Sequence, residues 1–302
     1  MKKQILLPVV LLVSSIAAFI LRLLQNQYGF EPDTGLPVSG SPFGLLLPLL
    51  LAVLTVVWFL LCRKLPVEFE PGPAFPEAFR TDRSGLLLPI AGVFLLAASG
   101  ILDVVLSLLG NGSFQSAMSA DGMTSVIVMY STDVLPAGLS PRMVLLLGVL
   151  TVLMAGSLFP AAAACFRCGN REISGEEPVS KRKPFPSNLL LVAPVCLVIR
   201  LVIVYRVNSI DPSLSVYYVE LLALVFLTMA FYRLSSFAFF SGSTRRFAQY
   251  GGAAVVLCFA TLADGHGLTA SLFYTGGFLV LLGFLGARFA LLRTEKFRLH
   301  PA

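Results

Sequence analysis

Residues 189–205 read Leu-Leu-Leu-Val-Ala-Pro-Val-Cys-Leu-Val-Ile-Arg-Leu-Val-Ile-Val-Tyr, an unbroken apolar stretch with one charge, Arg200, well inside it. A run of this length matches the hydrocarbon core of a bilayer, about 30 Å thick, when wound as a helix rising about 1.5 Å per residue. Lipid offers no partner to a free N–H or C=O, so such a run must be a helix or part of a closed barrel. The run is Leu-rich, continuous and longer than a barrel strand, so it is read as a helix. Seven more apolar stretches lie near 4–24, 43–62, 86–109, 143–165, 216–240, 247–263 and 268–292. In the one at 247–263, Gln249 and Gly251-Gly252 dilute the apolar start.

Composition agrees. Of 302 residues, 57% are hydrophobic and 13% charged, with a mean hydropathy of +0.86. A soluble domain carries about 25% charged residues, so this chain lacks the polar shell that water requires. The expected fold is an all-α, polytopic transmembrane bundle of about eight spans, a single integral-membrane domain over 1–302. Lys2 and Lys3 before the first stretch suggest a signal peptide, but its apolar length exceeds the usual core of about 7–15 residues. We read it as a retained helix.

The loops orient the bundle. Of the 22 Lys and Arg, 18 fall at the N-terminus, in loops 63–85 and 166–188, around the end of the sixth span, and at the C-terminus. Only Arg22, Arg142 and Arg206 lie on the opposite side, with Arg200 inside a span. Positive charge collects on the cytoplasmic side of short loops. Both termini are therefore expected in the cytoplasm and the chain in a plasma membrane, of the bacterial inner-membrane type. A nucleic-acid partner is excluded despite a pI near 9.2, because the basic residues are spread over membrane-flanking loops and form no single face. The expected partners are the lipid bilayer and a partner subunit or second copy of the chain.

No motif names a chemistry. There is no Gly-rich phosphate loop with its Lys, no His-Glu-x-x-His zinc helix and no Gly-x-Ser-x-Gly elbow. No cofactor can be assigned. The longest loop, 110–142, is too short for a nucleotide-hydrolysing domain; it contains an apolar piece, Ser125–Tyr130, that would suit a flap or a disordered segment. The first and third spans align without a gap, with Pro8 and Pro89 each 14 residues before a charge, Arg22 and Asp103. Leu-rich helices match easily, so duplication of a hairpin is the less favoured account.

Charges near the outer ends of the spans are the candidate site: Arg22, Asp103, Arg200, Glu220, Asp264 and His266. Arg200 is the only basic residue read as deep within a span. A charge there is costly unless it faces the bundle or a wet cavity and finds a partner; Asp103 and Glu220 are the expected partners. The alternatives are a structural ion pair and, for Arg22 and Arg206, snorkelling to the headgroups. Asp264-Gly-His266-Gly is read first as turn chemistry. Cys165 and Cys168 lack the second ligand pair of a structural zinc site, even with Cys62 at the same level, and are read as free thiols. Gly276, Gly283, Ala287 and Ala290 mark a packing seam on the eighth span. The functional expectation is a transporter or substrate-binding membrane subunit with an outward-facing polar pocket. A membrane-embedded enzyme or sensor at the outer face, or an assembly partner of a membrane complex, is the alternative.

Overall fold

A computed structural model describes residues 2–31, 38, 42–63, 65, 75–81, 83–116, 140–174, 185–209 and 214–299. Loop segment 117–139, with Ser125–Tyr130, and the basic triplet Lys181–Lys183 lie outside the described residues. Eight α-helices are seen among those described: α1 Lys2–Tyr28, α2 Pro42–Cys62, α3 Arg83–Ser116, α4 Pro141–Ser174, α5 Ser187–Asn208, α6 Leu214–Ser236, α7 Thr244–Thr261 and α8 Leu268–Leu299. Seven of them are long and apolar enough to cross a membrane. In α2 the qualifying stretch, Pro48–Cys62, is shorter, although the helix itself has 21 residues and no charge. The chain is an all-α polytopic bundle.

Helices run past the apolar stretches where the sequence stays helix-compatible. α3 and α4 have 34 residues each, about 50 Å at 1.5 Å per residue, so they overshoot the hydrocarbon. The stretch at 247–263 is a regular helix from Thr244 despite its glycines, because those glycines are buried packing points. Pro8, Pro48 and Pro89 each occupy the seventh position of their helix, where each removes one backbone hydrogen bond to the carbonyl four residues earlier.

Six helices close a ring in which successive members touch: α3, α4, α5, α6, α7, α8 and back to α3. The α1–α2 hairpin lies outside it, both helices against α7. Close backbone approach holds the ring shut at α3. A Cβ on Gly92 would come within 2.7 Å of the Gly276 carbonyl oxygen, and one on Gly100 within 2.8 Å of that of Gly148. Small residues permit this contact, which gives dispersion and weak Cα–H bonding where no hydrophobic effect separates helix from lipid. The seam read on the eighth span is thus a contact with α3 at Gly276 and Gly283, the latter against Pro89.

One end of the ring is plugged. Phe79, from the segment linking α2 to α3, is fully buried among Phe75, Phe237, Phe247 and Phe284, ring centroids 4.9–6.0 Å apart. Arg288 is buried there too, donating from Nε to Thr244 Oγ1 at 2.8 Å and from Nη1 to the Ala78 carbonyl at 3.2 Å. Arg200 is therefore not the lone basic residue inside the bundle. This plugged end is the one flanked by the basic loops.

Candidate functional site

Toward the other end polar side chains gather in two groups, one at the ring rim and one inside the ring.

The rim group joins α1 to the turn between α7 and α8. Arg22 is fully buried and its Nε donates to Asp264 Oδ1, while Nη1 donates to Gln25 Oε1 at 2.6 Å. Asn26 Nδ2 donates to the Ala263 carbonyl at 2.9 Å and to Asp264 Oδ1 at 3.1 Å. The Arg22 guanidinium also lies 5.6 Å from the Tyr218 ring of α6 and 5.9 Å from Phe30. Arg22, Gln25 and Asn26 share a face because they are spaced three and four residues apart on a helix. Asp264 is delivered by a short 3-10 turn that Gly265 ends at φ 65°, a left-handed conformation cheap for glycine. Arg22 does not snorkel; the snorkelling expectation fails because its carboxylate partner comes from a turn 242 positions away. Arg206, by contrast, is exposed at the end of α5.

His266 stands beside this group. Its Nε2 is 3.9 Å from Asp264 Oδ2, too long for a hydrogen bond, and neither atom has a hydrogen-bond partner. Its ring lies 5.9 Å from that of Tyr274, whose hydroxyl donates to Glu220 Oε1 at 2.8 Å. Glu220 also faces Asn208 Nδ2 at 3.4 Å. Tyr274 is fully buried.

The inner group centres on Arg200. Its Nη1 donates to Thr151 Oγ1 on α4 at 3.2 Å, and its guanidinium carbon sits 3.7 Å from the centroid of the Phe273 ring on α8. α5 and α8 are not successive in the ring, so the side chain reaches across the interior. Arg200 is only 7% exposed, and its Nε has no hydrogen-bond partner. Asp103 is buried on α3 beside the Thr269 hydroxyl and feels the Arg200 charge, but no carboxylate of the described residues lies within 4 Å of it. The expected direct pairing of Arg200 with Asp103 or Glu220 is thus not made: Glu220 is taken up by Tyr274 and Asn208, and Asp103 by the α3–α4–α8 contact. Gly148 of α4 packs against the Asp103 Cβ, which fixes that carboxyl between helices. Thr151, Phe273, Gln25 and Asn26 were not singled out in the sequence. Gln25 and Asn26 had a readable signal, polar residues one turn beyond Arg22; Thr151 and Phe273 had none.

Among the described residues no three His, Cys, Asp or Glu side chains could hold a metal ion. Cys62 and Cys165 are buried, and all five cysteines are free. Fold and composition define a multi-pass helical membrane protein. No protein-family model, curated protein or solved structure matches the chain.

Proposed function

We propose that this protein is a transporter or substrate-binding membrane subunit whose ligand occupies the polar layer inside the six-helix ring. One observation carries the reading: α3, α4, α5, α6 and α8 each send a polar side chain, Asp103, Thr151, Arg200, Glu220 and Tyr274, into one level of the ring interior. Ionisable groups within transmembrane helices are expensive, and here Asp103, Arg200 and Tyr274 are buried and Glu220 half-buried; a bundle needing only stability would fill these places with apolar side chains. The Phe79 plug closes the basic end, which suits a pocket served from the opposite side. On the positive-inside rule that side faces outward from a plasma membrane, with both termini cytoplasmic. The Arg22–Asp264 group is a structural clasp that ties α1 to the ring rim.

Counterflow in proteoliposomes tests this, with labelled inorganic phosphate, succinate, glutamate, glucose and putrescine as probes. The proposal expects one of them to accumulate unchanged, and Arg200→Gln protein of normal folded yield to lose that uptake. Chemical conversion of a probe without accumulation favours an enzyme at the same layer. Uptake equal to that of empty liposomes for every probe contradicts the transport reading.

A further inference from the structure

From the arrangement around Arg200 we infer that the ligand is a small oxyanion, a carboxylate or a phosphate, gripped by the Nε–Nη2 edge of that guanidinium. The inference rests on the pocket reading above and adds the ligand's charge and its contact. A guanidinium has two edges and two faces. In Arg200 one face is covered by Phe273 at 3.7 Å, and Nη1 is spent on Thr151. The remaining edge pairs Nε, buried and without a partner, with Nη2, for which no hydrogen bond is seen among the described residues. Nε and Nη2 point two parallel N–H bonds in one direction, the fork that takes both oxygens of a carboxylate or phosphate.

A buried donor left unmade costs about 1–3 kcal/mol, more for a charged group. The protein could have met that cost by bringing a carboxylate within contact, as it does for Arg22. At Arg200 it places Asp103 beyond 4 Å, within electrostatic reach but outside hydrogen-bonding distance. That spacing balances the charge of the guanidinium while leaving its fork open. Aromatic stacking holds the fork rigid, so little side-chain entropy is lost when an anion docks. Asp103 then repels the incoming anion and limits its affinity, which suits a site that must also release.

The test is equilibrium binding to full-length protein in nanodiscs by calorimetry, with sodium succinate, inorganic phosphate, putrescine and glucose as probes. Saturable binding of succinate or phosphate is expected, and which of the two binds distinguishes carboxylate from phosphate recognition. Asp103→Asn should tighten that binding by about tenfold, one like-charge term of about 1.4 kcal/mol. Arg200→Lys, which keeps the charge and loses the fork, should weaken it by about tenfold or more; it guards against a folding defect in Arg200→Gln. An anion bound equally by wild type, Arg200→Lys and Asp103→Asn sits elsewhere, and the inference falls. Binding of putrescine that Asp103→Asn or Glu220→Gln abolishes overturns the anion assignment and keeps the pocket. Binding of none of the four probes overturns both.

Discussion

Arg22 of α1 and Asp264 of the α7–α8 turn form an ion pair sealed from solvent, their side chains 1% and 7% exposed. The pair ties α1 of the peripheral hairpin to the ring, as the Trp58 Nε1 bond to the Ala248 carbonyl at 2.9 Å ties α2. Removing one partner strands the other charge, at a cost of about 3–5 kcal/mol. Arg22→Leu and Asp264→Leu should each lower the detergent melting temperature sharply. The double variant should recover part of the loss, because no charge is left stranded, although Gln25 loses its Arg22 bond and Asn26 keeps only the Ala263 carbonyl. Equal melting of Arg22→Leu and wild type would mean the pair contributes no stability.

The glycine contacts of α3 make a second prediction. Gly92→Ala drives a Cβ to 2.7 Å from the Gly276 carbonyl, a backbone atom that can yield only by moving α8. The overpacking cost is about 1–3 kcal/mol. Gly156→Ala, where a Cβ meets nothing within 4 Å, should be neutral or stabilise by up to about 1 kcal/mol through helix propensity. Thermal unfolding of the two variants checks the contrast.

At the plugged end, Arg288→Met keeps much of the side-chain volume and loses both donors. It leaves Thr244 Oγ1 and the Ala78 carbonyl without their Arg288 bonds, at about 1–3 kcal/mol. Loosening the Ala78 segment should also expose Phe79. Proteolysis in the 63–85 region should therefore accelerate in Arg288→Met; an unchanged cleavage rate would show that the Phe cluster holds the segment alone.

Topology is checked by single cysteines at exposed positions in a cysteine-free background. Ser209→Cys and Arg142→Cys should react with a membrane-impermeant maleimide from outside intact cells. Arg63→Cys and Ser241→Cys should react only after permeabilisation. Reaction of the Arg63 and Ser209 positions from one side would overturn the antiparallel order.

Much of the fold was legible because a bilayer imposes one length and one backbone solution on every span. The helices, their order and the two chemically different ends follow from apolar stretch and loop charge. The glycine seam was legible too, though its partner on α3 was not, since small residues mark a face without naming what packs on it. The candidate residues were found by asking which charges lie too deep for comfort, and that question located Arg200. It could not pair them. Arg22 takes Asp264 rather than lipid headgroups, and Glu220 takes Tyr274 rather than Arg200, because pairing depends on which helices are neighbours in the ring. Arg288 was read as a flanking charge because it lies near the end of its apolar stretch; the α2–α3 segment folding back over it puts it inside.

The central claim is that the layer around Arg200 is a ligand pocket reached from the end opposite the Phe79 plug. The most direct measurement is labelling of Thr151→Cys, in the cysteine-free background, by a membrane-impermeant methanethiosulfonate applied to each side of oriented vesicles. The account predicts reaction from the side opposite the basic loops, slowed by the oxyanion that binds and unaffected by putrescine. Reaction from neither side until the protein is unfolded would show the layer to be a sealed structural core, and would contradict the account.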